Sequence, residues 1–264
     1  MKKLLVSLLA FSGSSAFASD YSQFQDFDNQ ISIGYGMQSQ NTTAYGGGSN
    51  NYSTSNLVQL EGERLLNNGV WVNLDAQMVF GQGSTTAGTG YDGAFPQQQQ
   101  PVQSNYGFNG KVGYAFPLAG QYLLLTPYGA AGLNNNAIAG QQNGANIGDK
   151  GALGTTANQL YYTAGAGARL EYRINKAIEV YADQLVAYNW DQTSYASGIQ
   201  PQNLYAFTST IGAKFNLVKD FQLGVRGFYQ NDQMDASSGN PAGTGAYPQP
   251  QTSIGGLVTL GLTY

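Results

Sequence analysis

The sequence predicts an all-β protein: a single transmembrane, antiparallel, up-and-down β-barrel of ten strands. Three observations predict it. Ten segments alternate apolar and polar residues with a period of two, as a strand with two different sides must. Very short turns and long polar loops alternate between them. No stretch after the first eighteen residues is long and apolar enough to cross a bilayer as a helix. In hydrocarbon every backbone N–H and C=O needs a partner within the protein, and a closed sheet leaves no edge unpaired.

Residues 1–18 read as an export leader. Lys2 and Lys3 open it, Leu4 to Phe11 form its apolar run, and Ala16-Phe17-Ala18 is a small-residue cleavage motif. Cleavage after Ala18 makes residues 19–264 the barrel domain, 246 residues with nine basic and fifteen acidic side chains and a net charge of −6. That balance argues against nucleic acid or an anionic lipid surface as a partner. Only 10% of the residues are charged, against about 25% in ordinary soluble domains, and Gly, Asn, Gln, Ser and Thr fill the difference. The chain has no Cys, which removes disulfides, thiol chemistry and lipid attachment at a mature N-terminal Cys.

Strand one runs from about Asn29 to Gln38, with Ile31, Ile33, Tyr35 and Met37 on one face and Ser32, Gly34, Gly36 and Gln38 on the other. Strand two, about Asn56 to Leu66, turns Val58, Leu60 and Gly62 outward and Gln59, Glu61 and Glu63 inward. Asn67-Asn68-Gly69 is a tight turn in which Gly supplies a positive φ. Strand three is the clearest, with Val70, Val72, Leu74, Ala76, Met78 and Phe80 opposed to Trp71, Asn73, Asp75 and Gln77. Strand four spans Asn105 to Phe116, and Pro117 to Gly120 turn the chain. Strand five, about Gln121 to Leu133, contains three consecutive leucines; its phase is assigned with Tyr122, Leu124 and Tyr128 outward. Strands six (Gln159 to Ile174) and seven (Ile178 to Trp190) flank Asn175-Lys176-Ala177. Strand eight (Leu204 to Leu217) passes through Val218-Lys219-Asp220 into strand nine (Phe221 to Gln230). Strand ten, Thr252 to Tyr264, sets Ile254, Val258, Leu260, Leu262 and Tyr264 on one face.

The four short turns belong on the periplasmic side, and the five long connections, roughly 39–55, 82–104, 134–158, 191–203 and 231–251, outside the cell. Eight strands is the competing count and requires two weaker segments, such as one and five, to be misread. Outward aromatics gather at both strand ends. Near the turns are Tyr114, Phe116, Tyr122, Tyr172, Phe215, Phe221 and Tyr264; near the loops are Phe80, Tyr106, Tyr188, Trp190, Tyr205, Phe207 and Tyr229. Two such girdles suit the two lipid–water interfaces. A soluble β-sandwich has no reason to band its aromatics this way.

Almost all strand charges share the inward phase: Glu61, Glu63, Asp75, Glu171, Glu179 and Asp183, with Lys111, Arg169, Arg173, Lys214 and Arg226. Arg64 alone points outward, close to a turn where it can reach headgroups. A three-residue turn at 175–177 sets Arg173 opposite Glu179 and Arg169 opposite Asp183. The 67–69 turn sets Glu61 opposite Asp75, two carboxylates that need a cation or a shared proton, and Lys111 is the candidate cation. The charges read as an ion-pair network filling the lumen, or as the constriction of a pore. Ten inward glycines (Gly34, Gly36, Gly107, Gly113, Gly165, Gly167, Gly212, Gly224, Gly255 and Gly261) carry two readings. They provide free volume for an aqueous path, or they make room for large inward residues such as Trp71, Tyr161, Tyr181 and Phe228.

Catalysis has little to work with. The chain has no His, so a Ser or Asp nucleophile lacks its usual base, and zinc loses its preferred ligands. No cofactor or metal is expected; Asp232 and Asp235 in the last loop read as solvated carboxylates rather than a calcium site. The nearly uncharged loops, with Tyr45, Tyr52, Tyr91, Phe95, Tyr195 and Tyr247 among Gly, Ser, Asn and Gln, read as solvated linkers or as adaptable contact surfaces.

Thr126-Pro127-Tyr128-Gly129-Ala130-Ala131-Gly132 resembles a strand of the small outer-membrane barrels of the OmpA and opacity-protein group. Gly165 to Tyr172, followed by Ile178 to Asp183, resembles the hairpin after it, and Val258, Leu260, Leu262 and the terminal Tyr264 resemble the signal read by the barrel-assembly machinery. The resemblance implies an outer-membrane barrel of a Gram-negative bacterium, exported and cleaved, contacting outer-membrane lipid and that machinery. The usual small barrel of the group has eight strands, and this chain departs from it. The expected function is a non-enzymatic, surface-exposed barrel with loops available for adhesion or surface contact. The alternative is a narrow porin-like channel for ions or small solutes.

Overall fold

The computed structural model describes residues 21–43, 50–86, 105–119, 122–139, 156–191, 203–218, 220–234 and 251–264. The leader and part of each long connection lie outside the described residues. Among the described residues one helix, α1 (Ser22–Asp28), precedes eleven strand segments: β1 (Gln30–Thr43), β2 (Asn50–Leu65), β3 (Val70–Thr86), β4 (Asn105–Tyr114), β5 (Phe116–Ala119), β6 (Leu123–Ala139), β7 (Thr156–Arg173), β8 (Ile178–Asp191), β9 (Leu204–Val218), β10 (Phe221–Met234) and β11 (Gln251–Thr263).

The sheet closes on itself as a ten-stave antiparallel barrel. Each stave pairs with its neighbours in sequence, β1 pairs with β11, and β4 pairs with β6. β4 and β5 are two halves of one stave, since both lie along β6, from Tyr106↔Asn135 to Gly113↔Tyr128 and then at Phe116↔Leu125. Ala115 interrupts them, and its N–H bonds Gly69 O across the turn end at 2.8 Å. The 67–69 turn has Gly69 at φ 85°, with Leu66 N–H on Val70 O at 2.8 Å.

The exterior is apolar at mid-strand. Ile33, Leu74 and Ile211 are 59%, 61% and 68% exposed, while inward neighbours Ser32, Asn73 and Lys214 are buried. A water-soluble sandwich would bury the first set and expose the second, so this pattern excludes it.

Four details differ from the sequence reading. The staves run past the expected loop boundaries, to Thr43 in β1, Ala139 in β6 and Met234 in β10, because polar residues such as Asn, Gln and Thr can ladder as well as apolar ones once a neighbour is in place. Phe116-Pro117-Leu118-Ala119 is strand, not turn, and Gly120 lies outside the described residues. Leu124 and Tyr128 point inward, not outward: Leu124 is fully buried, and the Tyr128 hydroxyl finds an acceptor, Asp183, that the lipid side cannot supply. Finally, residues 22–28 form a helix that strand periodicity gave no reason to expect.

Candidate functional site in the lumen

The barrel is stopped at its turn end by α1. Phe24, Phe27 and Asp28, spaced i, i+3, i+4, share the buried face of this seven-residue helix. A helix so short does not hold by itself, so its docking contacts decide its place. Tyr21 Oη donates to Ala115 O at 3.0 Å, and Gln25 Nε2 donates to Leu65 O at 2.9 Å and to Asn67 Oδ1 at 2.7 Å. Asn216 Nδ2 donates to Asp26 O at 3.3 Å. The carbonyl of Phe27, orphaned at the helix end, accepts from Gln222 Nε2 at 3.2 Å and Lys214 Nζ at 3.3 Å. Arg173 lies over the Phe27 ring, 5.5 Å from its centroid, and donates to Gln23 Oε1 and Asn175 O. Tyr21 and Phe24 pack with Leu65, Trp71, Ala115, Leu124 and Tyr128 in one apolar cluster.

Above α1 lies a layer of buried charge. Lys214 Nζ sits 2.6 Å from Asp28, 2.9 Å from Glu63 and 3.6 Å from Glu179. Arg169 sits 2.7 Å from Glu63 and 2.7 Å from Glu171, with Asp28 at 3.9 Å. Its guanidinium lies over the rings of Tyr181 and Trp71, 4.4 and 5.5 Å from their centroids. Trp71 Nε1 and Gln30 Nε2 also donate to Glu63, at 2.9 and 3.2 Å. Asp28 Oδ2 and both oxygens of Glu179 accept no hydrogen bond. Burial pushes the Asp28 carboxyl above its ordinary value, and Lys214 offsets only part of that.

Farther from α1, Arg226 pairs with Glu61 at 3.0 Å and donates to Gln59. Lys111 pairs with Asp183 at 3.1 Å. Asn73 donates to Glu61 and Asn109 to Asp75.

The strand register sets Glu61 opposite Asp75, Arg169 opposite Asp183 and Arg173 opposite Glu179. The ion pairs, however, are not made with those facing residues. Lys111 faces Asn73 in the register, serves Asp183, and is not the cation between Glu61 and Asp75. Arg169 reaches across the lumen from β7 to β2, and Lys214 does so from β9. In a ten-stave barrel a long side chain spans much of the interior, so partners come from remote staves as well as from a facing residue, as Lys214 shows with Glu179 at 3.6 Å.

The glycines separate by side. A Cβ built on any of the ten inward glycines named above would come within 3.0 Å of a neighbour, while outward Gly62 and Gly129 have nothing within 4 Å. At Gly212 the neighbour is the Tyr181 ring, and at Gly255 the Phe228 ring. The inward glycines mark close packing, and the free-volume reading is set aside. A cavity between Gln30, Glu61, Glu63, Arg169, Tyr181 and Lys214 has a volume of about 10 Å³, room for about one water.

Asp28, Glu63 and Glu171 have carboxylate oxygens within 4.8 Å of one another. The donor set does not fit a metal centre, because Lys214 and Arg169 already stand among those oxygens. Asp28 and the helix carrying it are what sequence reasoning missed. The signal was Phe24-x-x-Phe27-Asp28, too short to stand out beside the strand that follows.

On the outer wall, Tyr106, Tyr114, Phe116, Tyr122, Tyr172, Trp190, Tyr205, Phe207, Phe221, Tyr229 and Tyr264 are exposed, and Phe80, Tyr188 and Phe215 are half-buried. Tyr114 packs against Phe116 and Tyr188 against Tyr205 with tilted rings, each pair 4.9 Å between centroids. Val258, Leu260 and Leu262 lie on the same outer face of β11. Arg64 is exposed beside the 67–69 turn.

No family model matches the chain, and no curated protein matches it. Among solved structures it is similar to the outer membrane protease OmpT from Escherichia coli (TM-score 0.46, 9% identity, covering 96% of this chain and 99% of that one). It is also similar to the β domain of the Bordetella autotransporter BrkA (TM-score 0.46, 10% identity, 90% and 100% covered). A third is the COG4313 outer membrane channel from Pseudomonas putida F1 (TM-score 0.43, 8% identity, 90% and 96% covered). Likeness at this level assigns neither chemistry nor partner.

Proposed function

We propose that this chain is a non-enzymatic barrel of the Gram-negative outer membrane, closed to solutes at rest, that acts through its external loops by adhesion or surface contact. The apolar outer wall, the aromatic residues at both strand ends and the leader support that location. The leader is cleaved after export, and Val258, Leu260, Leu262 and Tyr264 engage the barrel-assembly machinery.

One observation carries the closed reading: α1 and the ion pairs of Lys214 and Arg169 together occupy the lumen at its turn end. The carboxylates there lie behind α1 around Lys214 and Arg169, not poised beside a nucleophile, and a chain without His has no ordinary base at neutral pH. The loops, rich in Tyr, Ser, Gly and Asn, remain as the contact surface.

Planar-bilayer recording on the refolded protein tests this at neutral pH, where no unitary current is expected. Resolved steps that change with Arg169→Ala or Asp183→Ala would overturn it in favour of the narrow channel.

A further inference from the structure

Asp28 reaches the charged layer only because α1 enters the lumen. The charged groups that meet it there come from four staves. β2 brings Glu63, and β9 brings Lys214. β7 brings Arg169 and Glu171, with Arg173 against the neighbouring Phe27, and β8 brings Glu179. Tyr181 adds its ring, and Gln222 of β10 bonds the Phe27 carbonyl.

Four carboxylates (Asp28, Glu63, Glu171 and Glu179) therefore surround two cations, Lys214 and Arg169, and all six are buried. Counting Arg173, which spends its donors on Asn175 and Gln23, still leaves an acid in excess. Surplus buried negative charge without donors is costly, and the cheapest remedy is to bind protons. The carboxylates that lack donors are those expected to take them: both Glu179 oxygens and Asp28 Oδ2 accept no hydrogen bond.

We propose that this cluster is a proton-binding latch for α1: one to two protons held among Asp28, Glu171 and Glu179 keep the helix docked, and their loss at alkaline pH releases it. The inference rests on the closed-lumen reading and supplies its control.

The sign follows from linkage. The docked state binds more protons than the undocked state, in which water solvates the separated carboxylates. Docking is thus complete at acid pH and weakens as pH rises, by at least about tenfold per pH unit through the transition for one proton released.

The protein carries its own reporter. Trp71 is fully buried in the cluster that holds Tyr21 and Phe24, and the other tryptophan is Trp190. In the Trp190→Phe background, acrylamide quenching of Trp71 is followed in the full mature chain in detergent, from about pH 5 to about pH 10. Gel mobility without boiling monitors the folded barrel. Quenching is expected to rise reversibly with pH while the barrel stays folded. Glu179→Gln and Glu171→Gln, neutral from the start, are expected to hold Trp71 shielded to higher pH. Asp28→Asn, outside the barrel wall, does the same should either Glu variant fail to fold. A flat quenching profile in the folded protein overturns the latch, as does a profile that none of the folded variants moves. A change driven at fixed pH by magnesium or EDTA overturns it in favour of a bound cation. Failure of the two readings is distinguishable: unitary current while Trp71 is still shielded overturns the closed barrel, whereas zero current with a flat Trp71 profile overturns only the latch.

Discussion

Lys214→Met is the sharpest perturbation of the lumen. Lys214 Nζ contacts Asp28 at 2.6 Å, Glu63 at 2.9 Å and the Phe27 carbonyl at 3.3 Å, with almost no exposure. Met keeps most of the volume and removes the charge. Breaking a buried ion pair from one side costs about 3–5 kcal/mol, because the abandoned carboxylates stay in low dielectric. The barrel need not absorb that cost, since α1 can leave and admit water. If the whole cost falls on docking, the docked population drops by about a hundredfold to a few thousandfold, at about 1.4 kcal/mol per factor of ten. The assay is Trp71 quenching at neutral pH, read beside bilayer current: quenching should rise and current appear, while unboiled gel mobility stays that of a folded barrel. Asp28→Asn in the same chain removes one stranded charge and should restore part of the shielding, with a coupling of about 0.5–3 kcal/mol. Shielded Trp71, silent bilayers and no coupling to Asp28 in folded Lys214→Met would refute the idea that this cation holds the helix.

Two further predictions probe the wall rather than its contents. Ile211, 68% exposed at the middle of β9, should face hydrocarbon at mid-depth; Ile211→Arg is expected to cost about 2–4 kcal/mol in folding into lipid vesicles, and a neutral result would place that face in water. Gly36→Ala sets a Cβ against Gly256 O and the Leu257 Cα of β11, backbone that cannot yield without opening the β1–β11 seam, and should cost about 1–3 kcal/mol by urea titration. Gly62→Ala points into open space and should be neutral or stabilising by up to about 1 kcal/mol. Equal effects at the two glycines would refute the sidedness of their packing.

The barrel was legible because its signal is repeated and local. Ile31, Ile33, Tyr35 and Met37 alternate with Ser32, Gly34 and Gly36, and a stave with one lipid face has little choice of phase. Phase failed where alternation failed: through Leu123, Leu124 and Leu125, hydrophobicity is the same on both sides, and the deciding fact, that Tyr128 finds Asp183 inside, is a contact between β6 and β8. The cross-strand register was readable from the turns, yet the facing pairs read from it, such as Arg169 with Asp183, are not the ion partners. Register fixes Cα neighbours, whereas Arg169 and Lys214 meet Glu63 from staves four places away around the ring. Helix α1 was hidden for the opposite reason. It is seven residues long, and what makes it a helix is the lumen it enters.

The same geometry explains why charge and helix belong together. Without α1 the turn end of the lumen would hold Glu63, Glu171 and Glu179 facing Lys214, Arg169 and Arg173, three against three, in contact with water. Docking α1 brings a fourth carboxylate and, with Phe24 and Phe27, drives the water out. Apolar burial therefore favours the docked state, and the added acid opposes it. A stopper fixed for stability alone would gain by carrying Asn at position 28, which can accept from Lys214 without adding charge. Asp28 instead leaves docking dependent on protons from solution, so the helix is held strongly in acid and weakly in base. The most economical account of that residue is control of the lumen, with the apolar face of α1 supplying the closure and its single buried carboxylate the means of release.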